Sequence, residues 1–231
     1  MKIFLLSLFF FIGSVQLLAQ DQLSKFTKEY YRVNPFQGNF SSFVKALSGD
    51  PELLNKTLVQ KTDTSNYFLK GDYKVFNPFG LNANKVEMIF AEHQVDVTAK
   101  SRQEEYTIYT YQILAYFDDN KLNRDLILKD YNKLKKKLKR ELQSEVIGLK
   151  GVQNITDGEI TNFFYSTSIV YPVTISWQTL SKSGKLALTI ITKLFVGNNY
   201  AMPVGGGLNR QFSQKILQEK QTIQIQKLAT K

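Results

Sequence analysis

Residues 106–117 read YTIYTYQILAYF and are apolar or aromatic at nearly every position, and this stretch decides the fold. Successive side chains of a β-strand point to opposite faces of a sheet, so this stretch offers apolar groups to both faces. Strands of that kind lie in the interior of a sheet and are covered on both sides. We therefore expect a central strand here, with the rest of the chain arranged around it.

Alternation of apolar and polar residues predicts further strands on both sides of this stretch. On the amino-terminal side it covers residues 67–76 and 86–97, and on the carboxyl-terminal side residues 163–177 and 186–196. The turn residues Ser-Lys-Ser-Gly at 181–184 join the last two strands into a hairpin. Pro172 lacks an amide proton, which predicts an edge, a bulge or a break at that point.

Helical spacing predicts four helices. One is capped by Asn39 or Ser41 and runs to Leu47, and a second begins at Pro51 and contains Leu53, Leu54 and Leu58. The longest spans about residues 123–147, and another follows the glycines at 205–207. The apolar stripe of the longest helix is Ile127, Tyr131, Leu134, Leu138, Leu142 and Val146.

The order of these elements predicts an α+β fold. We expect an antiparallel sheet of about five strands, with helices packed mainly on one face. Residues 21–231 contain no linker rich in proline, glycine or serine, so a single α+β domain is expected there. Residues 1–20 are expected to precede this domain as a signal peptide.

The amino terminus has the three parts of a secretory signal. Lys2 supplies a positive charge, residues 3–12 form an apolar core, and Ala19 precedes a change to polar residues at Asp21. The apolar core is shorter than the ~20 residues that a membrane-spanning helix needs, although an uncleaved anchor is the alternative. We predict cleavage after Ala19 or Gln20 and export to the periplasm or the extracellular space. The chain has no cysteine, which excludes a lipid-modified amino terminus and disulfides.

A formal net charge of +10 favours anionic partners. The predicted long helix carries seven cations opposite its apolar stripe, and Lys133, Lys136, Lys137 and Arg140 are the candidates for contact with an anionic surface. A solvated outer face is the alternative interpretation. Lysine predominates and no aromatic residues alternate with arginine in this stretch, which disfavours specific nucleic-acid binding.

No residue pattern predicts a catalytic site, a metal site or a cofactor. His93 is the single histidine and no cysteine is present, so multi-histidine and thiolate metal sites are excluded. His93 lies at an apolar position of its strand, where we expect a hydrogen-bonded core side chain. No G-x-S-x-G motif supplies a nucleophile. A glycosidase pair built from dispersed carboxylates remains open.

Aromatic residues on the predicted strands are the candidate ligand site. A sheet face lined with tyrosine offers apolar area together with polar tips, and core packing is the alternative use of such residues. The candidate ligand-binding residues are Tyr109, Tyr111, Tyr165, Tyr171 and Trp177.

These observations favour an exported, non-enzymatic binding or interaction module of the cell envelope. One alternative is a hydrolase that acts on glycan or peptidoglycan through dispersed carboxylates. Another is a structural accessory protein that contacts anionic envelope surfaces through the lysine-rich helix. The sequence does not identify the partner, and an envelope protein, a glycan and an anionic lipid surface all agree with it.

Overall fold

A computed structural model describes residues 23–79, 82–99, 102–140, 142–150, 154–164, 171–197 and 199–204. The predicted signal peptide and the predicted terminal helix lie outside the described residues. The elements of the described residues are α1 (23–30), α2 (Phe40–Ser48), β1 (Leu53–Val59), β2 (Phe68–Tyr73), β3 (Lys85–Ala99), β4 (Arg102–Asp118), α3 (Lys121–Leu138), β5 (Gln143–Gly148), β6 (Ile155–Phe164), β7 (Val173–Leu180), β8 (Lys185–Gly197) and β9 (Tyr200–Pro203).

The nine described strands form one antiparallel sheet in the order β1-β2-β3-β4-β8-β7-β6-β5, and β9 pairs with the end of β8. Two meanders, β1–β4 and β5–β8, are connected through α3 and meet where β4 pairs with β8. β4 therefore lies in the middle of the sheet, as its apolar pattern predicts. β1 and β5 are the strands at the two ends of this order.

The predicted fold class is wrong in two respects. The sheet has nine strands instead of about five, and the described helices are few and do not form a clear layer on one face. Of the helices in the described ranges, only α3, with 18 residues, is long enough to cross several strands. α1 and α2 are each shorter than about 15 Å at 1.5 Å per residue. The protein is mainly an antiparallel sheet.

Two of the additional strands come from segments that were predicted to be helical. The second predicted helix is β1, in which Leu53 is buried opposite Tyr73 of β2. The longest predicted helix ends at Leu138 and is followed by β5, which contains Val146. Apolar residues three or four apart fit both kinds of element when the segment is short, and pairing with a neighbouring strand decides between them here.

Other local predictions are confirmed. The Asn39 side chain caps α2 by accepting a hydrogen bond of 2.8 Å from the Ser42 amide. The Ser-Lys-Ser-Gly turn joins β7 to β8 in a hairpin. The interruption at Pro172 also exists, because Tyr171 and Pro172 lie outside the strands and β7 begins at Val173.

The core is rich in aromatic side chains that link the helices to the central strands. Phe43 of α2 packs edge-on against Phe90 of β3, with ring centroids 5.4 Å apart. Tyr31 follows α1, and its hydroxyl donates to the Tyr111 carbonyl oxygen and lies 2.9 Å from the Thr192 hydroxyl. These contacts fix α1 and α2 over β3, β4 and β8. Among the described residues, no helix is both long and apolar enough to cross a membrane.

Candidate functional site: the cationic side of α3

Helix α3 is held on the sheet by its apolar stripe and by one buried polar contact. Ile127, Leu134 and Leu138 are buried as predicted. Tyr131 is also buried, and its hydroxyl lies 2.6 Å from the Thr161 hydroxyl and donates to Glu159 of β6 over 3.0 Å. These packing contacts with the sheet determine which side of α3 faces solvent.

Two lysines of α3 form ion pairs with other elements of the protein. The Lys135 ammonium pairs with the Glu159 carboxylate at 2.7 Å. Lys137 pairs with Glu29 of α1, and its ammonium lies 5.3 Å from the centre of the Tyr30 ring. Lys137, a predicted surface-contact residue, therefore connects α3 to α1.

The remaining cations of interest lie on the solvent side of α3. We call them the cationic row, and they are Lys129, Lys133, Lys136 and Arg140. Steps of four, three and four residues keep them on one side of the helix. Arg140 lies in the turn after the helix, where its amide donates to the Lys137 carbonyl oxygen. All four are exposed, and none forms an ion pair with another of the described residues.

The row contributes to the electrostatics of two acidic groups beside it, Glu29 and Asp130. Burial raises the pKa of Glu29, but hydrogen bonds from Lys137 and Tyr30 and the charges of Lys137 and Lys133 outweigh it, so the pKa lies below its ordinary value. Burial raises the pKa of Asp130 above its ordinary value, and the fields of Lys133 and Lys129 only partly offset this effect. Lys133 therefore acts on both carboxylates and favours their charged forms.

The structure places Tyr109 and Tyr111 of β4 beneath α2. The Tyr109 ring packs against Phe40 and Phe90, with centroid distances of 4.7 and 5.5 Å, and burial followed by the charge of Glu92 raises the pKa of Tyr109 to about 12. Tyr111 is fully buried, and burial raises its pKa well above the ordinary value. Both rings are part of the packing between α2 and the sheet.

The other aromatic candidates lie elsewhere. The Tyr171 hydroxyl donates to Glu145 of β5 over 2.6 Å, and Trp177 of β7 packs half-buried against the core. Tyr165 lies outside the described residues. Tyr109 is opposite Leu194 of β8 and Trp177 is opposite Leu188, which are six residues apart or about 20 Å along the strand. The structure does not bring these two rings together.

Several of the described carboxylates, and the histidine, have partners within the protein. Asp72 and Glu87 lie on either side of the Lys85 ammonium, at 3.0 and 3.1 Å, so an ammonium fills the space between them. His93 is exposed, which corrects its predicted core position, and its Nε2 lies 2.9 Å from the Thr110 hydroxyl. Within the described ranges, no three His, Cys, Asp or Glu side chains are grouped as metal ligands.

The sequence identifies the cations of α3, but it does not show which of them form ion pairs and which face solvent. Three of the four predicted surface-contact residues, Lys133, Lys136 and Arg140, belong to the row, and Lys129 joins them. Comparison of the chain with family models, with curated protein sequences and with solved structures gives no match.

Proposed function

We propose that this protein is an exported, non-enzymatic interaction module of the cell envelope that contacts an anionic surface through the cationic row. The observation that carries the proposal is the division of charge on α3. Lys135 and Lys137 are paired with carboxylates, whereas the four cations of the row are exposed and form no ion pair among the described residues.

The row has the geometry of a surface contact. Lys129 and Arg140 are eleven residues apart, which is about 16 Å along a helix, so all four charges reach one flat anionic surface at the same time. A cation close to an anionic lipid surface contributes about 1 kcal/mol. Four such cations contribute at most about 4 kcal/mol, or about a thousandfold in partitioning.

Export is the second part of the proposal. Lys2, the apolar residues 3–12 and Ala19 support it, because together they have the pattern of a cleavable secretory signal. The expected mature chain begins at Gln20 or Asp21. Mass spectrometry of the protein recovered from the cell envelope fraction checks this start, and a chain that still begins at Met1 would contradict cleavage.

The surface contact is tested by co-sedimentation with vesicles. The mature protein is mixed at low salt with vesicles made of equal parts of phosphatidylcholine and phosphatidylglycerol, and with vesicles of phosphatidylcholine alone. We expect retention on the anionic vesicles only. The variant Lys133→Glu/Lys136→Glu should bind them at least about 30-fold more weakly, since it loses about 2 kcal/mol of attraction and adds two negative charges that the surface repels.

A control variant distinguishes an effect of the cationic row from an effect of net charge. Lys74→Glu/Lys182→Glu changes the charge by the same amount at two exposed lysines outside α3 and should bind normally. If both variants lost the same amount of vesicle binding, the binding would depend on net charge and not on the cationic row. If the anionic vesicles did not retain the protein at low salt, the proposed contact would be contradicted.

A further inference from the structure

The strands at the two ends of the sheet order, β1 and β5, both expose apolar side chains. Val146 and Ile147 of β5 are 45% and 43% exposed, and Leu58 and Val59 of β1 are 43% and 40% exposed. An end strand presents unpaired backbone amides and carbonyls to any further strand. The two edges differ in how well they are protected against such pairing.

The β1 edge carries the usual protections. Its pairing with β2 is interrupted between Leu54 and Thr57, and Asn55 there adopts a positive φ of 50°. The Lys56 ammonium donates to the Ser48 and Asp50 carbonyl oxygens, which keeps a lysine fixed at this edge. A bulge and an edge lysine both disfavour the addition of a strand.

The β5 edge has neither protection. All six of its residues, from Gln143 to Gly148, pair with β6 in an unbroken register, and they include no lysine, arginine or proline. Val146 and Ile147 are neighbours, so they lie on opposite faces and an added strand would cover both. The single charge of β5 belongs to Glu145, whose carboxylate already accepts a hydrogen bond from Tyr171.

Exposed cations border this edge at both ends. Lys139 precedes β5 by four residues and Lys150 follows it by two, and neither forms an ion pair with another described residue. We propose that the β5 edge binds an extended segment of a partner protein, with a β-branched centre and acidic residues at both ends, which adds one antiparallel strand to the sheet. This surface shares no residue with the cationic row, and the proposal does not depend on the row.

A peptide segment suits this edge better than a second copy of the chain. A standard interface between two folded proteins involves about 20–30 residues on each side. β5 offers six residues, which matches one extended segment. Pairing of two β5 strands would also leave Lys139 and Lys150 without acidic partners, because the only charge within β5 is Glu145.

The test uses a fluorescent synthetic peptide whose six central residues alternate valine and threonine, with two aspartates at each end. Fluorescence anisotropy with the mature protein should show saturable binding. Val146→Lys/Ile147→Lys should weaken binding about tenfold, because two cross-strand contacts are lost and charges are placed on the edge. A peptide with lysines at its ends should also bind about tenfold more weakly.

The matched control is Leu58→Lys/Val59→Lys at the protected edge, which should bind the peptide within twofold of the unchanged protein. Both variants should keep the urea midpoint of the unchanged protein, which shows that they fold. Equal binding by the β5 variant, an equal loss in the β1 variant or the absence of saturation would overturn the proposal. So would a dimer that the β5 substitutions dissociate, or slow amide exchange along the β5 edge in the free monomer, because the edge would then be occupied by this chain.

Discussion

The contact between Tyr131 and β6 gives a stability prediction with a definite magnitude. Tyr131 is 1% exposed and Thr161 is fully buried, and their hydroxyls are 2.6 Å apart. Tyr131→Phe removes one oxygen and leaves the ring in place. The Thr161 hydroxyl then loses its partner on α3, whereas Glu159 keeps its ion pair with Lys135.

The cost follows from the burial of the group left behind. A buried hydroxyl without a hydrogen-bond partner costs about 1–3 kcal/mol, so we expect Tyr131→Phe to lower the free energy of unfolding by about 2 kcal/mol. Each kcal/mol lowers the melting temperature of a domain of this size by about 2–4 °C. The expected decrease in melting temperature is therefore about 4–8 °C.

Urea unfolding measures this free energy, and a double-mutant cycle with Thr161→Val isolates the contact between the two hydroxyls. The double variant should be more stable than the sum of the single effects predicts, by about 1 kcal/mol, because the second substitution removes the unpaired hydroxyl. A change below about 0.5 kcal/mol in Tyr131→Phe, or strictly additive effects, would refute this account of how α3 is seated.

Two further predictions concern the contact between α1 and α3 and the packing of β6. The pKa of Glu29 is lowered in the folded protein, so its ion pair with Lys137 stabilises the fold above about pH 4.5 and is lost as the pH falls through the folded pKa. Lys137→Ala should therefore lower the free energy of unfolding at pH 7 by about 0.5 kcal/mol, since the pair is largely exposed to solvent, and urea titrations at lower pH should show this difference shrinking as Glu29 becomes protonated. Gly158→Ala should cost about 1–3 kcal/mol, because its Cβ would lie 2.6 Å from the Trp177 carbonyl oxygen, whereas Gly148→Ala meets no atom within 4 Å and should be neutral. An equal effect of the two alanines would contradict the close approach of β6 to β7.

Much of the local structure could be predicted because the signals lie within a few residues of each other. Asn39 and the Ser42 amide are three residues apart, and the buried positions of α3 recur within each turn. The two long strands around residues 86–97 and 106–117 were recognisable from their alternation, and β3 and β4 occupy those positions. Periodicity of this kind reports directly on burial.

The strands at the ends of the sheet could not be predicted in the same way. The leucines of β1 have spacings that fit a helix, and only the pairing of Leu53 with Tyr73 shows that the segment is a strand. Val146 fits the stripe of α3, yet it lies in β5 because residues 143–148 pair with β6. Such pairing depends on residues far away in the sequence, and local spacing carries no information about it.

The charged residues of the candidate site could be predicted from the sequence, but the exposed surface that they form could not. The sequence shows seven cations between Lys129 and Arg140, and distant carboxylates decide which of them form ion pairs. Lys137 forms an ion pair with Glu29, which is 108 residues away in the sequence. Lys135 forms an ion pair with Glu159, which lies in β6. The position of Tyr109 beneath α2 depends in the same way on Phe40, which is distant in sequence.

The salt dependence of vesicle binding tests the central claim most directly. The partition coefficient of the mature protein on vesicles of phosphatidylcholine and phosphatidylglycerol is measured from low to high sodium chloride, beside that of Lys133→Glu/Lys136→Glu. The account predicts that binding falls steeply as the screening length shortens from about 30 Å at 0.01 M to about 8 Å at 0.15 M, and that the variant binds weakly throughout. Binding that does not change with salt, or that is the same for the variant, would contradict a contact made by the cationic row.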